Sequence, residues 1–261
     1  EEDADADADP ATSEGVFVSD PAGAAVAEGD LVTVEGTVAE VEGETRIAAS
    51  TTAVGSQGNP LPAAVEIAFP TANVLIDADG DLVADLEPYE GMRVTIPEEM
   101  TITEFFQLDR FGTYRVSSEG RLEQFTQSNA PDIAGFTQHR IDNAKRQIVI
   151  DDGQDVQNPD TLFILDNDNN RLDAGDEIRM GDSYTGLTGV IAYGEDDQDG
   201  NEEPEFRLHT PDGTLRQNNP REAAPEDVGS DFTVTAFNVL NFFTTLDTFG
   251  VNEGIGPDAQ D

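Results

Sequence analysis

Gln147-Ile148-Val149-Ile150-Asp151-Asp152, followed by Gly181-Asp182-Ser183-Tyr184-Thr185 and Gly189-Val190-Ile191-Ala192, is the stretch on which the fold turns. It reads as a strand ending in acid, a Gly-Asp turn, and a strand with a glycine at its centre. The same order occurs earlier, in Gly15-Val16-Phe17-Val18-Ser19-Asp20, Gly29-Asp30-Leu31-Val32-Thr33 and Gly36-Thr37-Val38-Ala39. A glycine inside a strand marks a bulge or a sharp bend. Small closed barrels need such bends so that one long strand can serve both halves of the barrel.

Working outward, other strand signals surround these two units. Asp30–Ala39 alternates and is answered by Thr45–Ala49 across the hairpin-type turn Glu42-Gly43-Glu44. Ala64–Phe69, Gly91–Ile96, Met100–Phe106, Thr113–Ser117, Tyr184–Ala192 and Glu205–Leu208 also read as strands. The one helical stretch is Asp132–Lys145, with Ile133, Phe136, Ile141 and Ala144 near helical spacing, and an irregular excursion is the alternative for the same residues. The pattern predicts a mainly β chain built of tandem OB-like β-barrel units, the second carrying long insertions.

The composition is extreme. The 261 residues carry a formal net charge of −42, with a hydrophobic fraction of 37%. Scattered apolar residues at that charge would mean disorder. Here they are gathered into short runs between turn signals, which predicts folded β domains with a very acidic surface. Of 13 basic residues only Lys145 is a lysine. Acid excess with almost no lysine fits a salt-adapted, halophilic protein, because screening at high salt relieves the self-repulsion. An ordinary acidic secreted protein is the alternative. Cysteine is absent, which excludes a disulfide framework and thiolate metal sites. No apolar run approaches the roughly 20 residues of a membrane span. Both ends read as cut from a longer chain.

Several stretches resemble a family of large secreted nucleases. They are Asp9-Pro10-Ala11-Thr12-Ser13-Glu14-Gly15-Val16-Phe17-Val18, Tyr89-Glu90-Gly91-Met92, Gln107-Leu108-Asp109-Arg110-Phe111-Gly112 and Ile148-Val149-Ile150-Asp151-Asp152-Gly153. Gly186-Leu187-Thr188-Gly189-Val190, Asn219-Pro220-Arg221 and Phe237-Asn238-Val239-Leu240-Asn241-Phe242-Phe243 complete the series. In that family a YhcR-type OB-like region precedes a catalytic domain of the endonuclease/exonuclease/phosphatase superfamily, to which pancreatic deoxyribonuclease belongs. The resemblance implies an N-terminally incomplete OB-like unit at residues 1–82 and a second OB-like unit with insertions at 83–228. It also implies that 229–261 is the start of a truncated α/β sandwich nuclease domain.

By the same resemblance Asn238 ends the first strand of that sandwich, close to the scissile phosphate, and Asn241 steadies the same loop. Phosphodiester hydrolysis builds negative charge on the non-bridging oxygens. A neutral amide donates to them, or helps place a divalent metal, without adding a repelling charge. The local alternative is an asparagine that ends a strand and caps a turn. Many relatives carry Glu where Leu240 stands. The metal-binding Glu and the Asp-His couple of the family cannot be placed in this chain. The resemblance therefore implies a Mg or Ca cofactor and a DNA or RNA substrate for the parent protein, with the fragment itself inactive. His139 and His209 read as structural or surface residues.

Two further sites stand as alternatives to bland readings. Asp166, Asp168, Asn170 and Glu177 fall at calcium-loop positions, although Arg171 stands where the sharp turn needs glycine. A solvated acidic hairpin tip accounts for the same residues, and Asp77–Asp81 and Asp196–Asn201 read as exposed turns. Phe105, Phe106, Phe111 and Tyr114 lie near Arg110, Arg115 and Arg121. Such a cluster suits single-strand binding by an OB fold, with Arg110, Arg115 and Phe106 as contacts. A barrel core with flanking arginines is the other reading, and the net charge opposes tight phosphate binding. The leading expectation is the N-terminal and linker region of a secreted, metal-dependent nuclease. Its rival is a non-enzymatic, cation-binding surface or matrix protein of β modules.

Overall fold

The computed structural model describes residues 9, 11–20, 23–41, 43–77, 80–154, 156–166, 171–173, 176–194 and 205–224, with 227, 229, 232 and 234. The chain divides into two compact units, Glu1–Arg221 and Glu222–Asp261. The described strands and helices lie in the first. They are β1 (Phe17–Ser19), β2 (Leu31–Val41), β3 (Glu44–Ser56), β4 (Val65–Glu66), β5 (Val74–Ile76), β6 (Leu82–Ala84), β7 (Arg93–Ile96) and β8 (Met100–Glu104). Then come α1 (Leu108–Phe111), β9 (Tyr114–Ser118), α2 (Phe125–Ser128), α3 (Ile133–Arg146), β10 (Gln147–Asp151), β11 (Ser183–Gly194) and β12 (Glu205–Arg216). The chain is mainly β.

Five strands close into a barrel. Their order is β12-β10-β9-β8-β11, and β11 pairs back onto β12. Four of the pairings are antiparallel. The fifth, β10 with β12, is parallel and sets Val149 opposite Arg207 and Asp151 opposite His209. Parallel neighbours need a long crossover, which the chain between them supplies together with β11. Proline at 97 has no N–H to give a ladder, and it falls in the break between β7 and β8. Both then pair with β11, β7 along Leu187–Val190 and β8 at Ser183–Tyr184. The strand Val65–Glu66, on the N-terminal side of residue 82, adds to the same sheet beside β7.

The core follows from alternation. Val94 and Ile96, Met100 and Ile102, Ile148 and Ile150, and Phe206 and Leu208 are i, i+2 pairs on one face of their strands, and all are buried in one cluster with Tyr184, Leu187 and Ile191. The long β11 bends where its glycine stands. Its register against β12 shifts between Thr185 and Thr188 and again between Thr188 and Val190. A Cβ on Gly189 would lie 2.7 Å from the His209 carbonyl oxygen and 2.8 Å from Leu208 Cγ. Gly36 likewise sits at a register shift of β2 against β3, where a Cβ would meet the Ala48 carbonyl.

The N-terminal sheet is smaller and more open. The β2–β3 hairpin is paired along its length and β1 joins β3 in parallel. Most of its residues are exposed or half-buried. Several strands differ in extent from the sequence reading. Thr45–Ala49 runs on to Ser56 and Glu205–Leu208 runs on to Arg216, because a partner continues the ladder in each case. Ala64–Phe69 is laddered only at Val65–Glu66. The short β5–β6 hairpin flanks the acidic turn Asp77–Asp81.

The helix expected at Asp132–Lys145 forms as α3, with the Asp132 carboxylate accepting from the Gly135 amide at 2.7 Å. Its apolar residues do not form a buried stripe, for Ile133 and Phe136 are exposed. The helix is held at its C-terminal end instead. The Arg146 guanidinium donates to the Ser118 and Gly120 carbonyls, Lys145 Nζ to the Ala72 carbonyl, and the Thr71 amide to the Lys145 carbonyl.

The close approach at Gly189 yields a direct test. Gly189→Val forces a side chain against the β12 backbone and is expected to lower stability by about 1–3 kcal/mol. Urea unfolding of the variant beside the parent chain measures it.

Candidate functional site

A cleft of about 500 Å³ lies on the outer face of the barrel. Its floor is Ile148 and Val149 of β10 with Phe206 of β12, and its roof is α3 and the β5–β6 hairpin. Six charged side chains line it: Asp77, Asp81, Glu104, Arg115, Arg140 and Glu205. Strand geometry puts Arg115 at its centre. On β9 it stands opposite Glu104 of β8 on one side and Val149 of β10 on the other.

The cleft's arginines are matched internally. Arg115 holds Glu205 in a fork, Nη1 to Oε2 at 2.6 Å and Nη2 to Oε1 at 2.7 Å. Its Nε lies 3.8 Å from Glu104 Oε2. Two parallel N–H···O bonds make this a strong and geometrically fixed pair. Arg140 Nη2 reaches Asp81 Oδ1 at 3.0 Å. Four carboxylates against two guanidinium groups leave the lining with a net negative charge. A phosphate entering here would have to displace Glu205 from Arg115 while facing the remaining carboxylates.

Of the three residues expected to contact nucleic acid, two meet. Phe106 and Arg115 line one shallow hollow beside the cleft, with Glu104, Gln107 and Glu205. Phe106 is 78% exposed. Arg110 does not line the cleft. Its guanidinium lies over the ring of Phe111, 4.7 Å from the centroid. With the Gln157 amide turned so that its oxygen faces the guanidinium, Arg110 Nη2 and Nε donate to it at 2.7 and 2.8 Å. Phe111 and Tyr114 are buried and Phe105 packs on the core, so most of the aromatic cluster is barrel interior.

Beyond the cleft the parallel seam carries a buried charge cluster that the sequence reading did not assemble. Asp151 accepts from Arg207 Nη1 at 3.1 Å and from the Gly153 amide at 2.6 Å, and His209 Nε2 lies 3.3 Å away. The Asp151 and Arg207 side chains are only 6% and 5% exposed. Burial by itself would push the Asp151 carboxyl up. The hydrogen bond from His209 and the charges of His209 and Arg207 outweigh it and hold the carboxyl below its usual range. The neighbouring Asp152 moves the other way, raised by burial and by the charge of Asp151. The cluster ties β10 to β12 across the one parallel pairing of the barrel. No local signal marks it in the sequence, because the pairing of residue 151 with 209 depends on register.

The remaining expected residues are placed only in part. Asp166 is buried and Glu177 is exposed, while Asp168 and Asn170 lie outside the described residues. Among the described residues no group of three His, Asp or Glu side chains is placed to share a metal ion. Asn238 and Asn241 also lie outside the described residues. His139 Nε2 is 2.7 Å from the Glu123 carbonyl and its ring packs on Phe125. No helix among the described residues is long and apolar enough to cross a membrane. Comparison with family models, curated proteins and solved structures found no match.

The depressed Asp151 carboxyl fixes the sign of an acid effect. Its contribution to stability is present above the ordinary Asp range and is lost as pH falls through the lower folded value. Asp151→Asn leaves Arg207 buried without its counter-charge and is expected to cost about 3–5 kcal/mol at neutral pH. The difference in unfolding free energy between the two proteins is expected to shrink as pH falls below the ordinary Asp range.

Proposed function

We infer that residues 1–221 are the OB-like region in front of the catalytic domain of a secreted, metal-dependent nuclease, and that this region positions the domain rather than gripping the substrate. The observation that carries the reading is the strand order. Counting β8 as the first barrel strand, the order around the barrel is first, second, third, fifth, fourth, with third and fifth parallel. That order is the one expected of an OB-like barrel and supports this reading. The family resemblance in the sequence independently suggests the same arrangement.

Two features favour positioning over substrate binding. The second and third barrel strands, β9 and β10, form the face that OB folds commonly use for nucleic acid. Here Arg115 on that face is held by Glu205 and flanked by Glu104. The chain is also pinned where the barrel ends. The Asn219 amide donates to Asp182 Oδ1 at 2.8 Å and its side chain donates to the Met180 carbonyl at 2.9 Å. Asn218 Nδ2 donates to Ser183 Oγ at 2.8 Å and to Glu99 Oε1 at 3.2 Å. Asp182, which also accepts from the Arg179 amide, is fully buried. Residues 218–219 are thereby fixed to the barrel.

In this reading the catalytic chemistry lies with the domain that begins near residue 229. There Asn238 donates to the phosphate, Asn241 steadies the loop, and a bound Mg or Ca ion supplies charge stabilisation. DNA or RNA is the substrate of the parent protein, which acts outside the cell. The test compares two proteins on plasmid DNA with Mg²⁺ or Ca²⁺. The 261-residue chain is expected to leave the plasmid intact. The full-length protein is expected to nick it and to lose that activity on Asn238→Ala. Robust cleavage by the 261-residue chain, or no effect of the substitution, would sink the reading.

A further inference from the structure

The base of the β2–β3 hairpin meets the barrel through carboxyl groups. Glu90, in the turn before β7, is 6% exposed. Its Oε1 accepts from the Thr45 amide of β3 at 2.8 Å, while its Oε2 is buried without a hydrogen-bond partner. Glu44, the first residue of β3, is 3% exposed, and its Oε1 accepts from the Tyr193 amide of β11 at 3.4 Å. Contact is close here. A Cβ on Gly43 would lie 2.6 Å from the Tyr193 ring, and Gly15 and Gly91 pack backbone to backbone. The Ser13 hydroxyl donates to the Glu90 carbonyl.

Charge at this joint is almost all of one sign. From β2 comes Glu40, which accepts from the Thr45 hydroxyl at 2.6 Å. From β3 come Glu44 and Arg46, and Arg46 is paired with Glu44. The turn itself carries Glu87, with Asp85 beside it and Tyr89 before Glu90. The segment before β1 carries Glu14 next to Ser13, and β11 contributes Tyr193. A buried carboxylate with one free oxygen and three further acids around it is costly when ionised and far less so when protonated.

We propose that this joint is pH-sensitive: with Glu90 protonated the β2–β3 hairpin is held on the barrel, and with Glu90 ionised the hairpin base loosens. Burial first, then the charges of Glu87, Glu44 and Glu40, push the Glu90 carboxyl up to about 7, against the lowering effect of the Thr45 amide. The sign follows. A carboxyl raised by docking favours the docked state at low pH, and the docking free energy declines as pH rises from the ordinary Glu range through neutrality. Above that window the loss is complete. The joint is independent of the nuclease reading, since it involves only the hairpin and the barrel.

Amide hydrogen exchange on the intact 261-residue chain tests it, at constant high salt and corrected for intrinsic exchange. Thr45 protection is expected to fall at least ~10-fold between pH 5 and pH 8, with Ile150 in the core as the unchanged control. Glu90→Gln keeps the acceptor for Thr45 and removes the charge, so its Thr45 protection is expected to stay flat. Glu87→Gln alters an exposed residue, removes one repelling charge and is expected to retain more protection at pH 8 than the parent chain. The second variant decides the matter if the first does not fold. Flat protection in the parent chain overturns the proposal. So does a loss in either variant equal to that of the parent.

Discussion

The parallel pairing of β10 with β12 is the constraint on which the rest of the molecule depends. Without it the strands form an open sheet with two bare edges. With it, Ile148, Ile150 and Leu208 face one interior and the outer surface gains a continuous face. The seam is held on its outer side by the Asp151–Arg207 pair, with His209 as a second donor. A buried ion pair adds little net stability when complete, yet breaking it is expensive. Asp151 and Arg207 therefore act mainly to select this register, since a shift of one residue would leave both buried and unmatched.

The acid excess explains what the basic residues do. Thirteen of them stand against 55 Asp and Glu. Arg46, Arg115, Arg140 and Arg207 each hold a carboxylate, and Arg146 clamps two backbone carbonyls beside α3. Arg207 is buried and Arg46, Arg115 and Arg140 are partly exposed but paired, so with 55 acids the surface presents chiefly carboxylates. A surface of that kind keeps a protein dispersed in concentrated salt and repels polyanions in dilute salt. Both consequences accord with the proposal that this region positions a nuclease domain.

Much of the fold was legible in the sequence because the signals were local. Ile148-Val149-Ile150 is a run buried on both faces, and the glycines at 36 and 189 mark the bends. The helical spacing over Asp132–Lys145 forms the helix α3. What was not legible depends on pairing between distant residues. In the sequence Arg115 reads as a candidate phosphate contact, and its partner Glu205, 90 residues away, is not visible there. Of the aromatic cluster, Tyr114 faces inward on β9 and Phe111 is buried, while Phe106 is well exposed. Glu90 and Thr45 meet only when the hairpin docks, and nothing near either residue announces the other.

Arg46, Arg115, Arg140 and Arg207 are each held by a carboxylate, and on that ground the region is proposed to position a catalytic domain rather than to bind nucleic acid. The most direct measurement is titration of the 261-residue chain with a short single-stranded DNA across a salt series, from ~0.05 M upward. No detectable binding is expected at any salt concentration. Binding at low salt whose logarithm falls linearly with the logarithm of salt concentration would contradict it, for that slope counts phosphates neutralised by free cations.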